Sequence, residues 1–124
     1  MNKTALQTVQ SFQMSLGNGT NEWTKIISDN ISFTGPVAQV KGKEKFIELN
    51  NGFFPMIRGY EPLNAFESGK FVCLEGKYKV ATPKGNEIEF QMGEVYTVEK
   101  EQIQSIRVYY DAEEFRKEFG VKND

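Results

Sequence analysis

The sequence predicts an α+β fold: a cone-shaped barrel in which N-terminal helices pack inside a strongly curved, mostly antiparallel sheet, followed by a short C-terminal helix. Three observations predict it. The last third holds three alternating runs separated by short turns, at 71–80, 87–98 and 103–110. Stretches with apolar residues at helical spacing precede them, and helices segregated ahead of strands imply α+β rather than alternating βαβ units. A sheet curled round those helices leaves a cone, sealed by Trp23 and the first helix at one end and open at the other.

The elements follow in order. Thr4 caps a first helix, with Gln7 as its capping-box partner; Leu6, Val9, Phe12, Gln13 and Leu16 share one face. Gly17-Asn18-Gly19 ends it, because these residues tolerate the left-handed conformation of a helix stop. Asn21 caps a short second helix carrying Trp23, Ile26 and Ile27, and Asp29-Asn30 breaks it. Ile31 to Phe33 is a short strand closed by Gly35-Pro36, and Val37 to Val40 continues as an edge hairpin. Gly42-Lys43 opens a third helix with a buried stripe of Phe46, Ile47, Asn50, Phe53, Phe54 and Ile57. Pro55 stops or kinks it, lacking an amide hydrogen and clashing with the preceding turn. Leu63 to Glu67 is a strand, and Ser68-Gly69 turns into the three long runs. Pro83 to Asn86 supplies the dihedrals of a tight hairpin loop, and Lys100-Glu101 joins the last two strands. Asp111 caps a final helix, with Glu114 in capping-box position and Gly120 at its end; Val121 to Asp124 fray.

With 124 residues the chain is expected to form one domain, 1–124. A formal charge of −2 with interspersed signs offers no basic stripe for nucleic acid. One cysteine excludes an internal disulfide, and the absence of histidine excludes the usual zinc ligand sets and every His-dependent triad. No metal or organic cofactor is implied. The opening residues carry no apolar leader and no run approaches membrane-spanning length, so the expected location is the cytoplasm, with no membrane partner. Ten Phe, five Tyr and one Trp are enough rings to wall an apolar cavity.

Alternation separates the sheet's faces. Ile88, Phe90, Met92, Glu94, Tyr96 and Val98 share the core side of their strand with Val72, Leu74, Gly76, Tyr78 and Val80 of the strand before. On the last strand Gln104, Ile106, Val108 and Tyr110 oppose Ile103, Ser105, Arg107 and Tyr109, and neither set is polar. The outer face is therefore expected to bury itself in a second copy, a homodimer using Cys73, Arg107 and Tyr109.

The element order and several stretches resemble the nuclear-transport-factor-2-like superfamily, especially its SnoaL-like and ketosteroid-isomerase-like members. They are Val9 to Gly19, Asp29 to Pro36, Val40 to Phe46, Glu94 to Val98, and Gln102 to Asp111. The resemblance implies a cone-shaped α+β barrel with a deep pocket and frequent dimerisation through the outer sheet face. It also shows what is missing. Ketosteroid isomerases carry a tyrosine on the first helix, where this chain has Phe12, and a general-base aspartate before the proline, where it has Gly35. Their second oxyanion donor falls at or beside Glu94. Limonene-epoxide hydrolases place an aspartate where this chain has Val108, and the His–Asp pairing of polyketide cyclases has no histidine here.

Glu94 is the candidate acid/base, since a carboxylate on an apolar face is costly to ionise; the alternative is a partly exposed Glu at the cone mouth, or one paired with Tyr or Arg. Tyr96 and Tyr78 share its face and are candidate ligand donors. Trp23, Phe12, Phe33, Phe53, Asn50 and Val108 complete the expected pocket, although Trp23 and the phenylalanines serve equally as packing and Asn50 as a surface amide. Three functions are open: a binder of a small hydrophobic metabolite, a small isomerase, dehydratase or hydrolase using Glu94, or a dimeric interaction module whose cavity is filled core. A lone carboxylate without a partner base or nucleophile favours binding.

Overall fold

Thr4 starts the chain's first helix as the sequence predicts. Its hydroxyl accepts from the Gln7 amide, and the Gln7 side chain accepts in return from the Thr4 amide. The computed structural model describes residues 3–120; the fraying expected of Val121 to Asp124 lies outside them. Helix α1 (Ala5–Asn18) ends where Gly19 takes the left-handed conformation, φ 72°. A single turn, α2 (Trp23–Ile26), leads directly into strand β1 (Ile27–Thr34). Strand β2 (Gln39–Lys41), helix α3 (Lys43–Phe53) and a 3-10 turn (Phe54–Met56) follow. Four long strands complete the sheet: β3 (Ile57–Ser68), β4 (Phe71–Ala81), β5 (Glu87–Glu99) and β6 (Gln102–Tyr109). Helix α4 (Glu113–Phe119) comes last.

The six strands lie in the order β2-β1-β6-β5-β4-β3. Every neighbouring pair is antiparallel except β1 and β6, which run parallel and join the start of the chain to its end. The core fills the concave side: Val9 and Phe12 of α1, Ile27 and Ile31 of β1, Phe46 of α3, and the inward residues of β4, β5 and β6. The predicted inner sets of β4 and β5 are the buried ones, with Phe90 half-buried.

Several boundaries differ from the sequence expectation, each for a tertiary reason. Asp29-Asn30 does not break a helix; the backbone is already extended from Ile27, which pairs with Ile103. Asn21 stabilises the α2 turn through its carbonyl, not its side chain, accepting from the Thr24 amide and hydroxyl. Helix α3 stops at Phe53, and Phe54 and Ile57 leave the stripe expected of them. Strand β3 begins at Ile57, not Leu63, because it is an edge strand that absorbs Pro62 beside a bulge. Asp111 sits one residue outside the α4 cap, Ala112, but its carboxylate still accepts from the Glu113 amide; no capping box forms with Glu114. Ile103 is fully buried rather than outward: a register shift between Thr97 and Val98 leaves Gln104 unpaired and inverts the alternation.

The convex face carries three cross-strand rows. Phe66, Cys73, Val95 and Arg107 form one, Ser68, Phe71, Thr97 and Ser105 another, and Asn64, Glu75, Gly93 and Tyr109 the third. Tyr109, Phe66 and Phe71 are 60%, 57% and 45% exposed. Among the described residues, no helix is long and apolar enough to cross a membrane.

Candidate functional site

Between the helices and the sheet lies a cavity of about 270 Å³. Helix α1 contributes Phe12, Gln13 and Leu16, and the loop between β1 and β2 contributes Gly35, Val37 and Ala38. Phe46, Leu49, Asn50 and Phe53 of α3 form a second side. The sheet supplies Tyr60 from β3, Tyr78 from β4, Met92, Glu94 and Tyr96 from β5, and Ile106 and Val108 from β6.

Strand register explains how the polar groups meet. Glu94 lies between Leu74 on β4 and Val108 on β6. Two residues along β4 from Leu74 comes Gly76, then Tyr78. The missing side chain at Gly76 leaves a gap in the inner wall, and Tyr60 lays its ring across it. A Cβ at Gly76 would stand 2.6 Å from the Tyr60 hydroxyl oxygen. The Tyr60 and Tyr78 rings sit 4.8 Å apart, and the Tyr78 hydroxyl donates to Glu94 Oε2 at 3.3 Å. On the other side of Glu94, Tyr96 Oη accepts from Gln13 Nε2 at 2.7 Å, which leaves its own proton free to donate.

Glu94 is 7% exposed, and its Oε1 atom is buried with no hydrogen-bonded partner. Burial pushes the carboxyl up from the usual carboxylate range to about 7, against the pull of the Tyr78 and Tyr96 hydroxyls, which favour the anion. Burial and the neighbouring carboxylate in turn hold the Tyr78 and Tyr96 hydroxyls well above the usual tyrosine range, and Tyr60 is raised for the same reasons. The site can thus offer a carboxyl group in either protonation state near neutral pH, flanked by three phenols that stay protonated.

Of the residues expected from sequence, Phe12, Phe33, Asn50, Phe53, Tyr78, Glu94, Tyr96 and Val108 all line the cavity. Glu94 is not at an exposed mouth and is not paired with an arginine; it is paired with a tyrosine, Tyr78, as the alternative reading allows. Asn50 turns its amide nitrogen back to the Phe46 carbonyl at 3.2 Å. Trp23 is outside the wall: its ring packs edge-on behind Phe12 and Phe46, at 6.1 and 6.3 Å between centroids, and supports them without facing the void. Sequence reasoning missed Tyr60 and the pairing of Gln13 with Tyr96. The glycine at position 76, on an otherwise bulky inner face, is the signal that a ring from the next strand needs the space.

Gly35 and Val108, the two positions at which acids are absent, lie against each other in the cavity wall. A Cβ at Gly35 would stand 2.7 Å from Val108 Cγ2, so the valine occupies the room that a side chain at 35 would need.

Comparison with known proteins is consistent with this geometry. No protein of curated function matches the sequence. Among solved structures, an NTF2-like protein of unknown function from Burkholderia pseudomallei is 15% identical, with TM-score 0.81 over 95% of this chain and 98% of that one. An NTF2-like protein of unknown function from Cytophaga hutchinsonii is 22% identical, with TM-score 0.75 over 93% and 96%. A Jannaschia protein provisionally assigned as a SnoaL-like polyketide cyclase is 12% identical, with TM-score 0.79 over 99% of each chain. These likenesses identify the fold as the NTF2-like cone. The family model for the SnoaL-like domain matches residues 14–106, which reach from α1 through the inner face of β6, and the chain belongs to that family.

Proposed function

We propose that the protein binds a small hydrophobic molecule in the cavity, with Glu94 as its polar anchor. One observation carries this reading: a carboxyl oxygen, buried and unpartnered, on the wall of a mostly aromatic and aliphatic void. Leaving such a group unsatisfied costs about 1–3 kcal/mol, and a ligand that satisfies it recovers that free energy. An apolar pocket with few convergent polar groups is the usual form of a small-molecule site. A thermal-shift screen of hydrophobic acids, steroids, polyketide-like compounds and amines tests it. Hits should raise the melting temperature in a concentration-dependent way, and Val108→Phe, which fills the void, should abolish them. A screen with no hits would remove the reading.

A second reading is favoured by one further observation. A carboxyl poised near pH 7 is suited to proton transfer as well as to binding, and the provisional cyclase assignment of the Jannaschia neighbour points the same way. In that reading Glu94 is the acid/base of an isomerisation, dehydration or hydrolysis, with Tyr78 or Tyr96 as donor. Glu94→Gln would then stop turnover while leaving ligand affinity intact. The absence of side chains at Gly35 and of an acid at Val108 leaves Glu94 without a second acid or base, which is why binding comes first.

The assembly that best fits the convex face is a homodimer with Cys73, Arg107 and Tyr109 at its centre. The exposed rings of Phe66, Phe71 and Tyr109 support it, with Cys73, Val95 and Thr97 between them and Glu75 and Arg107 as the charged residues of the same rows. Tyr109→Glu should convert a dimer to a monomer in analytical ultracentrifugation with little change in stability. A wild-type monomer at micromolar concentration would rule the dimer out.

A further inference from the structure

We propose that the ligand of this cavity is a small apolar amine, whose ammonium group donates to Glu94 Oε1 beside the rings of Tyr60 and Tyr78. This rests on the reading that the cavity is a binding site. Three features select an amine over a neutral or acidic compound.

The first is the balance of charge. Glu94 is the sole ionisable acid on the wall, and the wall has no Lys, Arg or His among the described residues. Nothing on the described wall supplies the counter-charge that a buried carboxylate needs. The second is the direction of the hydrogen bonds already made. Tyr78 donates to Oε2, and Tyr96 takes the Gln13 proton on its oxygen so that its own proton is free. In the ionised form these hydroxyls hold an anion, and what remains open is an acceptor, Oε1. A ligand donor completes the set; a carbonyl or a carboxylate would face an acceptor with an acceptor. The third is the lining. Ten wall residues are aromatic, and ring faces attract a desolvated ammonium where they would not attract an anion.

Size narrows the class. At about 270 Å³ the cavity lies near the small end of ligand sites, which suits a one-ring ligand on the scale of phenethylamine.

The experiment is isothermal titration of the wild-type protein with phenethylamine, phenethyl alcohol, phenylacetic acid and ethylbenzene at pH 6, 7 and 8. The amine should bind at least tenfold more tightly than the alcohol at pH 8, as a charge-assisted bond gives, and the acid should bind worst. Affinity for the amine should rise about tenfold from pH 6 to pH 8 as Glu94 ionises, while that of ethylbenzene stays flat or falls. The groups facing Glu94 are Tyr60, Tyr78 and Tyr96, with Cys73 on the far side of the sheet; all are raised and stay protonated in this window. Tyr110, across the cavity, is pushed up to about 12. Glu94→Gln should remove most of the tenfold preference for the amine over the alcohol at pH 8 and flatten the pH dependence of amine binding. If alcohol and amine bind equally at pH 8, or the acid binds best, the amine assignment falls while the pocket stands. If none of the four binds, both fall.

Discussion

Glu94 makes stability depend on pH in a direction opposite to that of an ordinary paired carboxylate. Its folded pKa is about 7, above the 4.5 of an unhindered glutamate. Between those values the folded state holds the extra proton, so stability falls as pH rises. At about 1.36 kcal/mol per unit, the raised pKa amounts to about 3 kcal/mol, present below pH 4.5 and lost by just above pH 7. Glu94→Gln removes the titration. At pH 4.5 the variant should match the wild type; at pH 8 it should be more stable by up to about 3 kcal/mol, or about 10 °C in Tm for a chain of this size. Urea unfolding followed by the fluorescence of Trp23, the single tryptophan and a buried one, measures this at each pH. Parallel pH profiles for the two proteins would refute the argument, because Glu94 would then be ionised and satisfied in the folded state. A variant less stable than the wild type at pH 8 would refute it also.

Three further outcomes are expected. Gly35→Ala should cost about 1–3 kcal/mol by overpacking against Val108, and Val108→Ala should recover part of that in a double-mutant cycle with a coupling of at least about 0.5 kcal/mol. Gly76→Ala should cost a similar ~1–3 kcal/mol by displacing the Tyr60 ring, and the same change in a Tyr60→Ala background should be close to neutral in chemical denaturation. Lys100 and Glu101 both adopt positive φ, 53° and 59°, in the last hairpin turn. Replacing them with Asn-Gly, the pair this turn prefers, should raise stability by about 1 kcal/mol, read as a higher urea midpoint.

The faces of β4 and β5, the caps of α1 and the position of Glu94 were legible because each depends on local periodicity or chemistry. What was not legible depended on partners distant in sequence. Asp29-Asn30 reads as a break, yet pairing of the surrounding residues with β6 draws it into β1. Strand β3 is expected to start at Leu63, yet as an edge strand it tolerates Gly59 and Pro62 and starts at Ile57, and the late expected start hid Tyr60. Ile103 reads as outward by strict alternation, and only the shift at Thr97–Val98 turns it inward. Trp23 was expected to face the cavity or plug its end, and its place behind Phe12 and Phe46 follows from how the α2 turn returns under α1, where the Trp23 amide donates to Ser15 Oγ at 2.9 Å. The site's key residue was readable from composition against face. Its neighbours were readable only where the strand they sit on was correctly drawn.

The parallel pairing of β1 with β6 also sets a timetable for folding. The four strands from β3 to β6 are joined by tight reversals and can zip in sequence, each closing a short loop. Strand β1 has no such option: Ile27 must wait for Ile103, at the far end of the chain. Closing so long a loop carries a high entropic cost that is repaid only once both strands exist. On a ribosome, α1 and α3 therefore emerge long before the sheet that receives them, with Phe12 and Phe46 uncovered in the interval. The topology predicts that the meander forms first and that the helices dock when β6 completes the bed for β1; pulsed hydrogen exchange during refolding should then protect β4 and β5 before β1.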